Sequence, residues 1–228
     1  GELFNKRQLS VLIVIVEKIK ECMKMIHDET NSEQQSMIIG SYLSLVLGSL
    51  LNYYSKFARL NVTEGRGVAN TFGRPTLGMV YTYAESNPLN SVAASWIKIS
   101  KDLSTYLETD LQSDADIVTK MCSAVSLPFP DEFFDGVFTD PPYYDNIPYA
   151  NLSDFFYVWL KRTMGNIFPD LFSTLLTPKS DEIISELQFS ADKRISKKNL
   201  KDSVFFESML SNAFKEIFRV LKQDGISI

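Results

Sequence analysis

A chain of 228 residues with 45% apolar content is long enough to bury a sizeable core, as one domain or one and a half. Its net charge of −5 argues against a generic nucleic-acid coat, while leaving room for a local basic groove. No apolar run reaches membrane-spanning length, and the opening Gly1-Glu2-Leu3-Phe4 has no signal-peptide pattern, so neither a membrane protein nor an exported one is expected.

Leu9, Leu12, Val16, Ile19, Met23 and Ile26 recur at three- and four-residue steps and predict a first amphipathic helix. The β-branched run from Val11 to Val16 weakens it locally. His27, the single histidine, falls in this helical pattern, which argues against a catalytic or ligand role. Ser32 followed by Gln35 is a capping-box signature. It opens a second helix through Met37, Ile38, Tyr42, Leu45, Val46, Ser49 and Tyr53. Gly40 and Gly48 cost stability inside that helix unless they allow close packing. From Asn61 to Gly78 the composition is that of a loop, with Gly65, Gly67, Gly73, Pro75 and Gly78 and two arginines, Arg66 and Arg74. A nucleotide-phosphate loop is disfavoured here, because no Gly-x-Gly-x-x-Gly follows a strand. Trp96 to Leu107 predicts a further short helix, so residues 1–110 read as a helical region with a Gly-rich loop.

Residues 111–228 read differently. Ile117 to Met121 predicts a buried strand, followed by Cys122-Ser123-Ala124. Cys22 and Cys122 are isolated, lack metal-ligand spacing, and are expected to be buried, reduced thiols of a cytoplasmic protein. Phe129-Pro130-Asp131-Glu132 predicts a turn feeding a short buried strand, Gly136 to Phe138. Thr139 and Asp140 close that strand, and Pro141 and Pro142 stop it, since neither proline can donate to a sheet ladder. Tyr143 and Tyr144 follow, then a polar aromatic loop, Asp145-Asn146-Ile147-Pro148-Tyr149. Leu152, Phe155, Phe156, Trp159 and Leu160 form a helical stripe that ends near Gly165 and reads as core. Lys193, Arg194, Lys197, Lys198 and Lys201 make a basic run with no acid among them, a pattern usual for a solvated face. Val204 to Leu221 predicts a strongly amphipathic helix capped by Asp202 or Ser203. Lys222-Gln223-Asp224-Gly225 reads as its exit turn, and Ile226-Ser227-Ile228 as the start of a strand.

The chemistry concentrates at Asp140. In an open α/β sheet ligands bind where strands end. A carboxylate at Asp140 and a backbone carbonyl at Pro141 can accept the two hydrogens of an aromatic amine, whose lone pair is otherwise delocalised into its ring. Those hydrogen bonds strengthen as the nitrogen gains positive charge, so they favour the transition state. Pro142 fixes the corner, and Tyr143 offers a face on which an unstacked base can lie, worth roughly 1–3 kcal/mol. The target base must leave a duplex first.

Asp140-Pro141-Pro142-Tyr143 resembles motif IV of the amino-group DNA methyltransferases, which methylate adenine N6 or cytosine N4 with S-adenosylmethionine. The longer run Thr139 to Arg162 is similar to that of large adenine-specific DNA methylases, many of which carry a zinc ribbon. Leu127-Pro128-Phe129-Pro130, Thr71-Phe72-Gly73-Arg74, Ala84-Glu85-Ser86-Asn87-Pro88, Thr177-Pro178-Lys179 and Arg219 to Gly225 extend the likeness over most of residues 70–228.

The resemblance implies an α/β fold, a partial Rossmann-like methyltransferase sheet beside an N-terminal helical region. It also implies adenine-N6 methylation in DNA, with Asp140, Pro141, Pro142 and Tyr143 catalytic and S-adenosylmethionine as cofactor. Cofactor contacts are expected from Ser123, Ala124 and Thr139, although Ser123 stands where the family commonly has an acid. Tyr144, Asn146, Tyr149 and Arg74 are expected to bind substrate, with a DNA-backbone contact the alternative role for Arg74; Asn146 can equally cap its own turn. Lys193, Arg194, Lys197, Lys198 and Lys201 become candidates for phosphate contacts. The zinc-ribbon part has no counterpart here and no metal is expected. The family's Gly-rich cofactor loop is not found either, so the chain is expected to be a fragment of the enzyme. Exposed sheet edges would then favour a homodimer or pairing with the rest of the parent enzyme. Two alternatives stand beside this reading. One is a catalytically inert relic that binds nucleic acid. The other is amino methylation of cytosine N4, of RNA or of a protein glutamine.

Overall fold

The computed structural model describes residues 2–61, 67–90, 94–110, 116–144, 147–185 and 201–228. Five helices and four short strands stand among them, in the order α1 (Lys6–Thr30), α2 (Glu33–Leu51), β1 (Arg59–Leu60), β2 (Val68–Ala69), α3 (Trp96–Asp110), β3 (Phe134–Val137), α4 (Tyr149–Met164), α5 (Ser203–Val220) and β4 (Leu221–Ser227). This is a mixed helix-and-sheet protein, α/β at the coarse level. The chain divides into two units: Gly1–Asp114 with Ala150–Pro178, and Ala115–Tyr149 with Lys179–Ile228. A single cut near residue 110 therefore does not describe it, because nearly all of α4 returns to the N-terminal unit.

In the first unit α1 begins at a reciprocal cap. The Asn5 side chain accepts from the Gln8 N–H at 2.8 Å, and the Gln8 side chain accepts from the Asn5 N–H at 2.9 Å. Leu12, Val16, Ile19 and Met23 of the expected stripe are buried, joined by Ile15 and Gln8. The Ser32 hydroxyl accepts from the Gln35 N–H at 3.2 Å, so the second cap is one-sided rather than a full box. Gly40 is a site of close approach: a Cβ there would lie 2.5 Å from the Met23 sulfur. Gly48 meets nothing within 4 Å. Contrary to the expectation that no segment reaches spanning length, α2 is long and apolar enough to cross a membrane, with a mean hydropathy of 1.2. A core helix passes the same measure, and Leu47, Leu50 and Leu51 of α2 are fully buried in a cluster with Leu12 and Ile19 of α1.

The α4 stripe is core in part: Phe155 and Trp159 are buried and Phe156 packs against the same cluster, while Leu152 and Leu160 are only half-buried and lie outside it. The Phe4 ring lies 5.5 Å from that of Phe155 and 5.6 Å from that of Trp159. Phe72 packs edge-on to Phe155 at 5.1 Å. Thr177 fastens the segment after α4, its N–H donating to Asp154 Oδ1 at 2.9 Å. Gly165 ends the helix where a Cβ would lie 2.4 Å from the Lys161 carbonyl oxygen.

The second unit is built on a parallel pair. Phe134 stands opposite Leu221, Gly136 opposite Ile226 and Val137 opposite Ser227. Between the first two of these pairs β3 advances two residues and β4 five, so β4 carries a bulge. Lys222 to Gly225, expected as an exit turn, is that bulge inside a strand. Asp202 caps α5, accepting from the Phe205 N–H at 2.9 Å. Two other expectations fail in this unit. Ile117 to Met121 forms no strand, since no described strand pairs with it, and Ile117, Val118 and Met121 are exposed. Cys122 beside it is exposed too, while Cys22 is half-buried. The strand before Asp140 runs one to two residues earlier than predicted and is only half-buried, with Phe138 outside it and exposed.

Candidate functional site

The place of Asp140 follows from how β3 is held. Arg219, at the end of α5, donates to the carbonyls of Phe129 at 2.9 Å and Leu127 at 3.1 Å, to Asp131 at 2.7 Å and to Glu216 at 2.8 Å. The Leu127 N–H in turn donates to Glu216 at 2.9 Å. One guanidinium therefore ties the Leu127-Pro128-Phe129-Pro130 segment to α5, and β3 leaves that segment already alongside β4. The Arg219 guanidinium and the Leu127 N–H hold the Glu216 carboxyl down at about 2. Lys222 reaches across the pair to Asp135 at 2.5 Å and lowers its pKa.

The ladder persists one step past the strand: the Ile228 N–H donates to Val137 O at 2.9 Å, and the Thr139 N–H donates to Ile228 O at 2.8 Å. Asp140 is the next residue. It is exposed, and its carboxylate has no hydrogen-bond or ion-pair partner among the described residues. No peptide bond among the described residues is cis, so Pro141 and Pro142 continue in the trans form, Pro141 exposed and Pro142 half-buried. Tyr143 is 57% exposed. Asp140 and Tyr143 thus stand in solvent, beyond the last ladder bond at the carboxyl end of a parallel strand.

The remaining candidates fare differently. Tyr144 is partly committed to the fold: its ring stands edge-on to Phe206 of α5 at 5.0 Å, and its carbonyl accepts from the Ser185 N–H at 2.8 Å. Tyr149 opens α4 with a partly exposed ring. Asn146, Lys193, Arg194, Lys197 and Lys198 lie outside the described residues. Lys201 corrects the expectation of a free phosphate contact: it is buried, its ammonium donates to the carbonyls of Lys179 and of Glu182, the latter at 2.7 Å, and it sits 5.3 Å from the centre of the Phe205 ring. Such an ammonium replaces water with backbone oxygens and cannot also serve a phosphate. Arg74 belongs to the first unit, where it lines a cavity with Arg59. Nothing in the sequence marked Arg59, an isolated arginine in a two-residue strand.

The residues expected to hold S-adenosylmethionine are exposed and show no preformed cradle. Ser123 and Ala124 are exposed, on a turn rather than at the end of a strand. The Ser123 hydroxyl accepts from the Val125 N–H at 3.4 Å, closing its own local turn. The Thr139 N–H is already used in the ladder. No buried orphan polar group and no cradle marks a cofactor position at these residues.

Several of the segments on which the expected family likeness rested act as braces. Glu85 receives two hydrogen bonds from Arg7, at 2.9 and 2.7 Å, which lower its pKa. Asn87 accepts from the Leu89 N–H at 3.0 Å. Comparison with protein-family models, with curated proteins and with solved structures returns no match to this chain.

Proposed function

We propose that Asp140, Pro141, Pro142 and Tyr143 form the amine-polarising corner of a methyltransferase acting on adenine N6 in DNA, with the β3–β4 pair read as part of a Rossmann-like sheet. One observation carries this reading. An exposed carboxylate with no partner among the described residues follows directly on the last ladder bond of a parallel strand, and two prolines fix the backbone behind it. That is where open α/β sheets present ligand-binding groups. The Asp140 carboxylate accepts one amino hydrogen and the Pro141 carbonyl the other. As the nitrogen takes up a methyl group it becomes cationic, and both acceptors then bind it more strongly than they bind the neutral amine. No strong base is required, because the methylated ammonium is acidic. Tyr143 stacks the extruded base. The cofactor that this chemistry implies is S-adenosylmethionine; Ser123, Ala124 and Thr139 show no preformed cradle for it, and no step is assigned to them.

The test is methyl transfer by the protein from labelled S-adenosylmethionine to duplex DNA, read by mass spectrometry of the nucleosides. Losing one preorganised hydrogen-bonding group from such a site typically costs about 10²–10³ in rate, so Asp140→Ala should lose at least that much. Retained turnover sinks the assignment. N4-methylcytosine, methylated RNA or methylglutamine in place of N6-methyladenine would keep the chemistry and change the substrate. Nucleic-acid binding with no methylation in any arm would favour the inert relic.

A further inference from the structure

We propose that the cavity between β1 and residues 70–80 is an oxyanion site that takes a phosphate group, supplied either by a nucleic-acid backbone or by a small phosphorylated molecule. The proposal rests on the first unit alone and is independent of the reading of Asp140.

Both Arg59 and Arg74 line this cavity, and no Asp or Glu among the described residues does. Among the described arginines, Arg7 pairs with Glu85, Arg162 donates to the Val158 carbonyl and Arg219 pairs with Glu216 and Asp131. Arg59 and Arg74 are the two with no partner among the described residues. In a chain with 28 acidic residues, two guanidiniums on one cavity with no acidic partner among the described residues are not explained by a shortage of carboxylates. A planar guanidinium with its fork of donors matches the oxygens of a phosphate.

The floor of the cavity is fixed. Thr71 is buried, its hydroxyl 2.7 Å from that of Ser55, and its N–H donates to Asn52 O at 2.6 Å. Phe72 beside it is anchored in the aromatic cluster around Phe155 and Phe156. Gly73 keeps the space open. A Cβ there would lie 3.2 Å from Asn70 Oδ1 and 3.6 Å from Arg59 Nη2, so a larger side chain would fill the volume in front of the Arg59 guanidinium. Asn70 and Thr76 add neutral polar groups to the lining. The cavity measures about 260 Å³. Sites for drug-sized ligands run to roughly 300–1,000 Å³. The space therefore suits a phosphate group with a neighbouring sugar edge better than a whole dinucleotide.

The full chain would be titrated with inorganic phosphate by calorimetry and with a fluorescent DNA duplex by anisotropy over a range of salt. Arg59→Ala with Arg74→Ala should weaken binding at least tenfold in one arm or both. In the duplex arm the salt slope should fall by about one for each phosphate contact removed. Lys20→Ala with Lys24→Ala, which removes the same charge from the exposed face of α1, should change little. Gly73→Leu should weaken binding with the charge intact. A loss confined to the duplex arm assigns the phosphate to a nucleic-acid backbone; a loss confined to inorganic phosphate assigns it to a small molecule. The proposal is overturned if the wild-type chain binds neither probe, if the arginine double variant binds like wild type, or if the lysine double variant loses as much.

Discussion

Gly40 and Gly48 sit eight residues apart in one helix and play opposite parts. At Gly40 the missing side chain is replaced by Met23 of α1, whose sulfur would lie 2.5 Å from a Cβ; at Gly48 nothing comes within 4 Å. A glycine in a helix interior costs roughly 0.5–1 kcal/mol relative to alanine. Gly48→Ala should therefore raise stability by about that much, measured by denaturant unfolding. Gly40→Ala has the same backbone gain but must displace a buried methionine, and overpacking typically costs about 1–3 kcal/mol. It should come out less stable than Gly48→Ala by an amount in that range; equal stabilities would mean that Met23 moves aside freely. The sequence suggested close packing at either glycine and could not tell them apart, because the neighbour that decides the matter lies on another helix. Asp140 is the reverse case. Its neighbours in the chain, two prolines and an apolar strand, already fixed its exposure at a strand end, so its setting was legible. The inward turn of Lys201 was not, since the carbonyls that capture it belong to Lys179 and Glu182.

Among elements, the helices were the readable part. Their stripes are local, and α1, α3, α4 and α5 all stand close to where the spacing put them. The cap of α1 went unseen because Asn5 and Gln8 spell a box with Asn in place of the usual Ser or Thr. Asn5 does more than cap, since its amide also donates to the Tyr83 hydroxyl at 3.0 Å and to Glu85 at 3.4 Å. Losing an N-cap of this type costs about 0.5–2 kcal/mol, and Asn5→Ala should fall in the upper part of that range because those further contacts go with it. Asn5→Ser keeps the cap oxygen but not the amide, so it should recover only part of the loss in the same unfolding experiment. Strands were less legible for a physical reason. Apolar β-branched residues say that a segment can pair, while the partner is set by distant chain. Ile117 to Met121 has the composition without a partner; Phe134 to Val137 has β4, nearly ninety residues later.

On the scale of the whole molecule, each unit carries its own carboxylate–guanidinium contact: Arg7 with Glu85 in the first, Arg219 with Glu216 and Asp131 in the second. Glu216 carries the larger consequence. Its pKa is lowered from 4.5 to about 2 in the folded chain, first by the Arg219 hydrogen bonds and then by the Leu127 N–H. A depressed carboxyl contributes stability that is fully present above its unfolded value, here 4.5, and is lost as pH falls through about 2. Replacing Arg219 by Gln removes the main cause of the depression, so the second unit should be less stable at neutral pH and lose less on acidification between those limits. The chain supplies its own control. Both tryptophans, Trp96 and Trp159, belong to the first unit, so indole fluorescence reports that unit, whereas amide hydrogen exchange along α5 and β4 reports the second. Arg219→Gln should lower exchange protection in α5 and β4 and flatten its dependence on pH, with the fluorescence titration unchanged. If both signals shift together, the two units unfold as one and Arg219 is not a local clasp. If neither shifts, the hydrogen bonds around Glu216 do not hold β3 in place, and the strand end that carries Asp140 is fixed by the β3–β4 ladder alone.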